Sequence, residues 1–137
     1  GGRTAVTPER VAINLMDARI PDNAGYQPID TPVVPDGPAA FFSTLPVKAI
    51  AARIQSDGLP AAVSNTAGTY VCNSLLYTLL HTAALEYPGL RGGFLHVPYA
   101  IEQLPGKPGD TFGMKLCDIA RALTCAVEAI AEHLLER

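Results

Sequence analysis

The sequence predicts an α/β domain with a mostly parallel sheet, and two observations carry that reading. Short apolar runs bounded by Gly, Pro and small polar residues alternate with longer segments of helical apolar period, the order that builds strand–helix–strand units. A chain of 137 residues, 48% of them apolar, is the size of one domain (1–137) with a real core. Only three strand-like runs are present, few for a sheet covered on both faces. The start, Gly1-Gly2-Arg3-Thr4-Ala5-Val6, has neither an initiator methionine nor the composition of a flexible tail. An N-terminal portion is therefore expected beyond the sequence.

Each element follows from local chemistry. Thr7-Pro8-Glu9 places a helix-capping residue before proline and reads as a short turn or single helical turn. Arg10 to Leu15 carries β-branched apolar residues at alternate positions, a strand. From Asp17 to Ala40 prolines recur at 21, 28, 32, 35 and 38, which excludes a helix interior or a central strand. Ile20, Tyr26, Ile29, Val33 and Val34 give this stretch apolar anchors, so an ordered loop or arm is expected. Ser43 or Thr44 then caps a helix with Pro46 in its first turn and Val47, Ile50, Ala51 and Ile54 on one face; Asp57-Gly58 closes it. Leu59 to Ser64 is a buried strand.

A helix from about Thr69 to Tyr87 carries Val71, Leu75, Leu76, Leu79, Leu80, Ala83 and Ala84 on its apolar face and ends at Pro88-Gly89. Gly93 to Val97 is the third short strand, and 98–111, with three prolines and two glycines, is a loop. The last helix, about Phe112 to Leu135, has Leu116, Ile119, Ala120, Leu123, Val127, Ile130 and Leu134 as its expected core stripe.

Composition excludes several function classes. A net charge of −3 and scattered Lys and Arg leave no basic footprint for nucleic acid or an anionic membrane surface. Tryptophan is absent and 7% of residues are aromatic, which disfavours a stacking platform for single strands. No apolar run reaches spanning length and no secretory signal opens the chain. Cys72, Cys117 and Cys125 are odd in number and form no CxxC pair, which argues against a disulfide framework or zinc site and suits a reducing, cytoplasmic setting. No metal-ligand spacing, P-loop or dinucleotide fingerprint occurs, so no cofactor is expected.

Chemistry concentrates at Ala61-Ala62-Val63-Ser64-Asn65-Thr66-Ala67-Gly68-Thr69-Tyr70-Val71-Cys72-Asn73, read as strand, tight turn and helix. It delivers a thiol to a helix N-terminus, where unpaired N–H groups and the positive end of the macrodipole stabilise negative charge. His96 lies near the end of the third strand. In an open α/β sheet, parallel neighbours would bring both residues to the same edge, the minimum for a Cys–His thiol hydrolase. A carboxylate to orient the imidazole is available from Glu9 or Asp17, which flank the first strand, and spacing does not choose between them. A free cysteine on a helix is by default a core residue, the reading kept for Cys117 and Cys125. His81, inside a helix, and His133, near the chain end, need no catalytic role either.

Several motifs, in order, resemble the pyroglutamyl peptidase I (pyrrolidone-carboxylate peptidase) family of cysteine peptidases. Ser64-Asn65-Thr66-Ala67-Gly68-Thr69-Tyr70-Val71-Cys72-Asn73 is similar to its cysteine signature and Gly2-Arg3 through Asn14 to its glutamate signature. Asp17-Ala18-Arg19-Ile20-Pro21-Asp22-Asn23, Phe42-Ser43-Thr44-Leu45-Pro46 and Gly93-Phe94-Leu95-His96-Val97-Pro98-Tyr99 fall in the family's order. The resemblance implies a three-layer α/β/α sandwich around a mixed sheet, with this chain its C-terminal part, and a cytoplasmic homotetramer. It implies Cys72 as nucleophile, His96 as general base and Glu9 as orienting carboxylate. Arg19 falls at the active-site edge, and Ile20, Tyr70 and Val71 match pocket-lining positions. The implied substrate is a peptide with an N-terminal 5-oxoprolyl residue, which has no free ammonium; its pocket is expected to be apolar, without a carboxylate to meet a charge. Ala24 departs from a glutamate common in the family. The missing start would carry its first strand, a Phe-rich loop that closes the pocket and a residue assisting the oxyanion. Another thiol amidase, or a non-catalytic assembly module, is the alternative.

Overall fold

The computed structural model describes residues 2–135, which fall into two units woven from separate stretches of chain. The first takes in Gly1–Pro8, Pro46–Ser64 and Leu95–Arg137, the second Glu9–Leu45 and Asn65–Phe94.

In the first unit, β1 (Thr7–Pro8) is a buried strand, where the sequence suggests a turn. It pairs antiparallel with β4 (Leu95–His96), Thr7 opposite His96 and Pro8 opposite Leu95. The 59–64 segment runs parallel along its other edge. Val6 N–H donates to the Pro60 carbonyl at 2.9 Å, Ala62 N–H to the Val6 carbonyl at 3.1 Å and Ser64 N–H to the Pro8 carbonyl at 3.0 Å. Pro8, the last residue of β1, has no N–H to donate, and its carbonyl still accepts from Ser64 N–H. β5 (Tyr99–Ala100) and β6 (Gly113–Met114) form a short parallel pair, and a 3-10 turn, Ile101–Gln103, follows β5 inside the expected loop.

Helix α1 (Val47–Ser56) packs against α3 (Leu116–Leu135) and buries Ile50, Ala51 and Ile54. α1 closes as expected, with Gly58 at φ +76°. The buried face of α3 shares only Ile119 among its buried residues with the stripe that periodicity selects: it consists of Ile119, Ala122, Cys125, Ala126 and Ala129. Leu116 and Val127 are 63% and 65% exposed, and Leu123 and Leu134 are exposed as well. α3 carries two apolar faces, and the one rich in alanine lets α1 approach closely.

The second unit is built on β2 (Val11–Ile13), antiparallel to β3 (Ala40–Phe42), with α2 (Cys72–Glu86) packed on the pair. Its core is Ala12, Leu76, Tyr77 and Leu80, flanked by Val33, Val34, Phe41 and Phe94. Val71, Leu75 and Leu79, expected on the buried face of α2, are exposed. The 17–40 arm is held by polar clips. Met16 and Thr31 exchange backbone bonds of 2.6 and 3.0 Å, and the Asn14 amide donates to the Val34 carbonyl and accepts from its N–H. Ser43 and Thr44 do not cap α1, whose N-cap, Pro46, has no side-chain cap. Their hydroxyls donate instead to the Gly92 carbonyl, and the Thr44 oxygen accepts from Gly92 N–H at 2.7 Å.

Candidate active site

Cys72 is the first residue of α2, which begins three residues later than the expected start near Thr69 and keeps the thiol at the helix N-terminus. Gly68 turns the approach at φ +84°, a left-handed conformation that suits glycine, and its N–H donates to the Thr66 hydroxyl. Thr69 ties the turn to the start of the arm: Asp17 N–H donates to its carbonyl at 2.7 Å, and its hydroxyl donates to the Asp17 carbonyl at 2.8 Å. The Cys72 thiol is half-buried and in no disulfide. No acidic side chain stands in the first turn of α2, so nothing there offsets the positive end of the helix dipole.

Asn73, beside the cysteine, is buried, and its carboxamide holds the helix start to β2. It accepts from Ile13 N–H at 2.9 Å and donates to the carbonyls of Ile13 and Leu15, each at 2.9 Å. The sequence carries a signal for this residue. Asn73 occupies the stripe 73, 76, 77, 80 on the buried face of α2, and a polar residue there needs a partner.

Glu9 also belongs to the second unit and is fully buried. Its N–H donates to the Phe94 carbonyl at 2.8 Å. His96 belongs to the first unit, half-buried on β4 and paired across from Thr7. β4 runs antiparallel to β1, which itself runs parallel to 59–64, so His96 does not arrive on a strand parallel to the one that precedes Cys72. Strand direction is set by the return path of the chain, which apolar spacing does not encode. Asp17, the other carboxylate flanking the first strand, is exposed.

Arg19, Ile20 and Tyr70 line one cavity of about 530 Å³ together with Asp17, Gly68 and Thr69. Val71 is absent from the lining and is exposed. Asp17 and Arg19 share the wall of this cavity with Ile20 and Tyr70. Burial raises the Tyr70 phenol above its ordinary value, and the negative charge of the Asp22 carboxylate raises it further. Among the described residues no cluster of three or more His, Cys, Asp or Glu could hold a metal ion.

The family model for pyroglutamyl peptidase matches residues 1–133. A pyrrolidone-carboxylate peptidase of Streptomyces coelicolor is 70% identical over 137 residues, all of this chain and 62% of that protein. One from Streptococcus pneumoniae is 56% identical over 133 residues, 97% of this chain and 62% of the relative. The crystal structure of pyroglutamyl peptidase I from Bacillus amyloliquefaciens superposes with a TM-score of 0.90 at 48% identity, over 96% of this chain and 61% of that one. The pyrrolidone carboxyl peptidase of Thermococcus litoralis does so with a TM-score of 0.92 at 40% identity, over 98% of this chain and 63% of that one. These neighbours bear out the α/β fold. The chain spans about 62% of the length of the curated relatives it matches. Matched over 133 of its 137 residues and sharing 70% identity with a named member, it belongs to the pyroglutamyl peptidase family.

Proposed function

We propose that this chain supplies the nucleophile-bearing part of a cysteine exopeptidase that removes an N-terminal pyroglutamyl residue from peptides. The observation that carries the reading is the placement of Cys72 as the first residue of α2, two residues beyond the Tyr70 that lines the cavity with Arg19 and Ile20. The names of the relatives, pyrrolidone-carboxylate peptidases, supply the substrate class.

In this mechanism Cys72 Sγ attacks the carbonyl carbon of the pyroglutamyl peptide bond. His96 takes the thiol proton and passes it to the leaving amine, giving a pyroglutamyl thioester and a shortened peptide. Water, its proton accepted by His96, then adds to the thioester carbonyl and releases pyroglutamate and the thiol. Glu9 orients the imidazole, and backbone N–H groups at the start of α2 hold the oxyanion of both tetrahedral intermediates. Ile20 and Tyr70 receive the lactam ring, Val71 flanks it, and Arg19 contributes positive charge at the edge. The reading extends to a homotetramer in the cytoplasm, supported by the family resemblance, by three cysteines outside any disulfide and by the lack of a described helix long and apolar enough to cross a membrane.

Turnover of a fluorogenic pyroglutamyl amide by the polypeptide carrying these residues tests the proposal. Cys72→Ala should abolish it; turnover retained by that variant would sink the proposal. Preference for other acyl amides would select a different thiol amidase. A folded wild-type protein inert towards the whole panel would favour a non-catalytic assembly module.

A further inference from the structure

We propose that Asn73 is a positioning residue for the Cys72 nucleophile; the inference rests on the peptidase reading above. Its side chain does what a neighbouring strand would do. In the β2–β3 pair, alternate residues turn their backbone groups towards β3: Asn14 N–H donates to the Ala39 carbonyl and Ser43 N–H to the Arg10 carbonyl. Ile13, opposite Ala40, turns its groups the other way, to the open edge. There the Asn73 carboxamide accepts from Ile13 N–H and donates to the Ile13 carbonyl, both at 2.9 Å, and its second N–H reaches the Leu15 carbonyl at 2.9 Å.

Three bonds from one planar group, itself 1% exposed, fix the rotation and height of the first turn of α2 against β2. Cys72 is the adjacent residue, and β2 begins two residues after Glu9. The amide therefore locks the helix start that presents the thiol to the segment that carries the proposed orienting carboxylate, all within the second unit. A nucleophile held this way attacks along a set line, and a displacement of about 1 Å can cost on the order of a hundredfold in rate. Asn73 needs no contact with substrate to have that effect.

The test compares two Asn73 variants with a control on the same helix. Asn73→Asp keeps the acceptor for Ile13 N–H and sets an oxygen against two carbonyls, while Asn73→Ser is neutral and too short to span all three. Tyr77→Phe removes a buried side-chain bond four residues along α2, to the Pro38 carbonyl. Below the melting temperature of every variant, we expect either Asn73 variant to lower kcat by about tenfold or more with KM within about twofold. We also expect slower alkylation of Cys72 by iodoacetamide across the pH range. Tyr77→Phe should leave both within about twofold, as loss of stability alone would.

A folded Asn73 variant with wild-type kcat and wild-type Cys72 alkylation overturns the inference. So does an equal loss in Tyr77→Phe, which would reduce the effect to general destabilisation. Alkylation needs no pyroglutamyl substrate. If wild-type protein cleaves no pyroglutamyl amide yet its Cys72 alkylation depends on Asn73, the positioning role stands and the peptidase reading fails.

Discussion

Tyr77 donates its hydroxyl to the carbonyl of Pro38 at 2.6 Å from a ring with no solvent exposure. The bond joins the middle of α2 to the end of the proline-rich arm, and it closes a cluster in which the Tyr77 and His81 rings stack and Phe41 meets both edge-on. Burial raises the Tyr77 phenol above its ordinary value, so the hydroxyl remains a donor throughout the neutral range. Gly37 is part of the same contact: a Cβ there would lie 2.7 Å from the Tyr77 hydroxyl oxygen and 3.1 Å from the Val34 carbonyl.

Tyr77→Phe should therefore cost about 1 kcal/mol, the net worth of one hydrogen bond, with the ring cluster intact. Gly37→Ala should cost more, because both the hydroxyl and a backbone carbonyl must give way. Chemical denaturation of each variant measures the difference. An unchanged midpoint in both would show that the arm is not anchored through this contact.

Arg121 on α3 reaches across to the end of α1, donating to the Asp57 carboxylate at 2.7 and 3.1 Å and to the Asp57 carbonyl at 3.0 Å. The guanidinium holds the Asp57 carboxyl below its ordinary value of 3.8. A carboxyl lowered on folding contributes stability above its unfolded value and loses it as the pH falls through the lower folded value. Asp57→Asn should thus melt below wild type at neutral pH, with the two curves converging as the pH falls below 3.8. A gap of constant size across that window would remove Arg121 as its cause.

The two faces of α3 separate another pair of expectations. Ala126 lies on the buried face of α3, 3% exposed, whereas Val127, its neighbour in sequence, is 65% exposed. In the 137-residue chain, Ala126→Leu should overpack that face and cost about 1–3 kcal/mol, while Val127→Thr should fall within about 0.5 kcal/mol of wild type. Periodicity alone orders these two the other way, and thermal melts of the pair decide between them.

Thiol labelling distinguishes activation from access. Cys117 is exposed, Cys72 half-buried and Cys125 buried, so access alone ranks Cys117 first. The proposed mechanism expects Cys72 to react with iodoacetamide before Cys117, with activity lost in step. Mass mapping at partial modification reads the order. Labelling of Cys117 ahead of Cys72 would count against a selectively activated nucleophile.

Local chemistry made much of this protein legible without a structure. Gly68 and the small polar residues around it dictate a turn, the apolar period after it dictates a helix, and together they set Cys72 near the N-terminus of α2. The Asp57-Gly58 stop, the prolines of the arm and the order of the family's motifs were equally readable, because each depends on neighbours along the chain. What only the tertiary structure decided depends on neighbours across it. Thr7–Pro8 became a strand because Val6 to Pro8 found partners at 60–64 and 95–96. α2 and α3 buried faces that only partly match those periodicity favoured, since a repeat of 3.6 residues gives the direction of a stripe and not what will cover it. His96 arrived antiparallel to β1. Asn73, a polar residue on an apolar stripe, found its three partners on a strand some sixty residues earlier, a pairing that spacing along the chain does not contain.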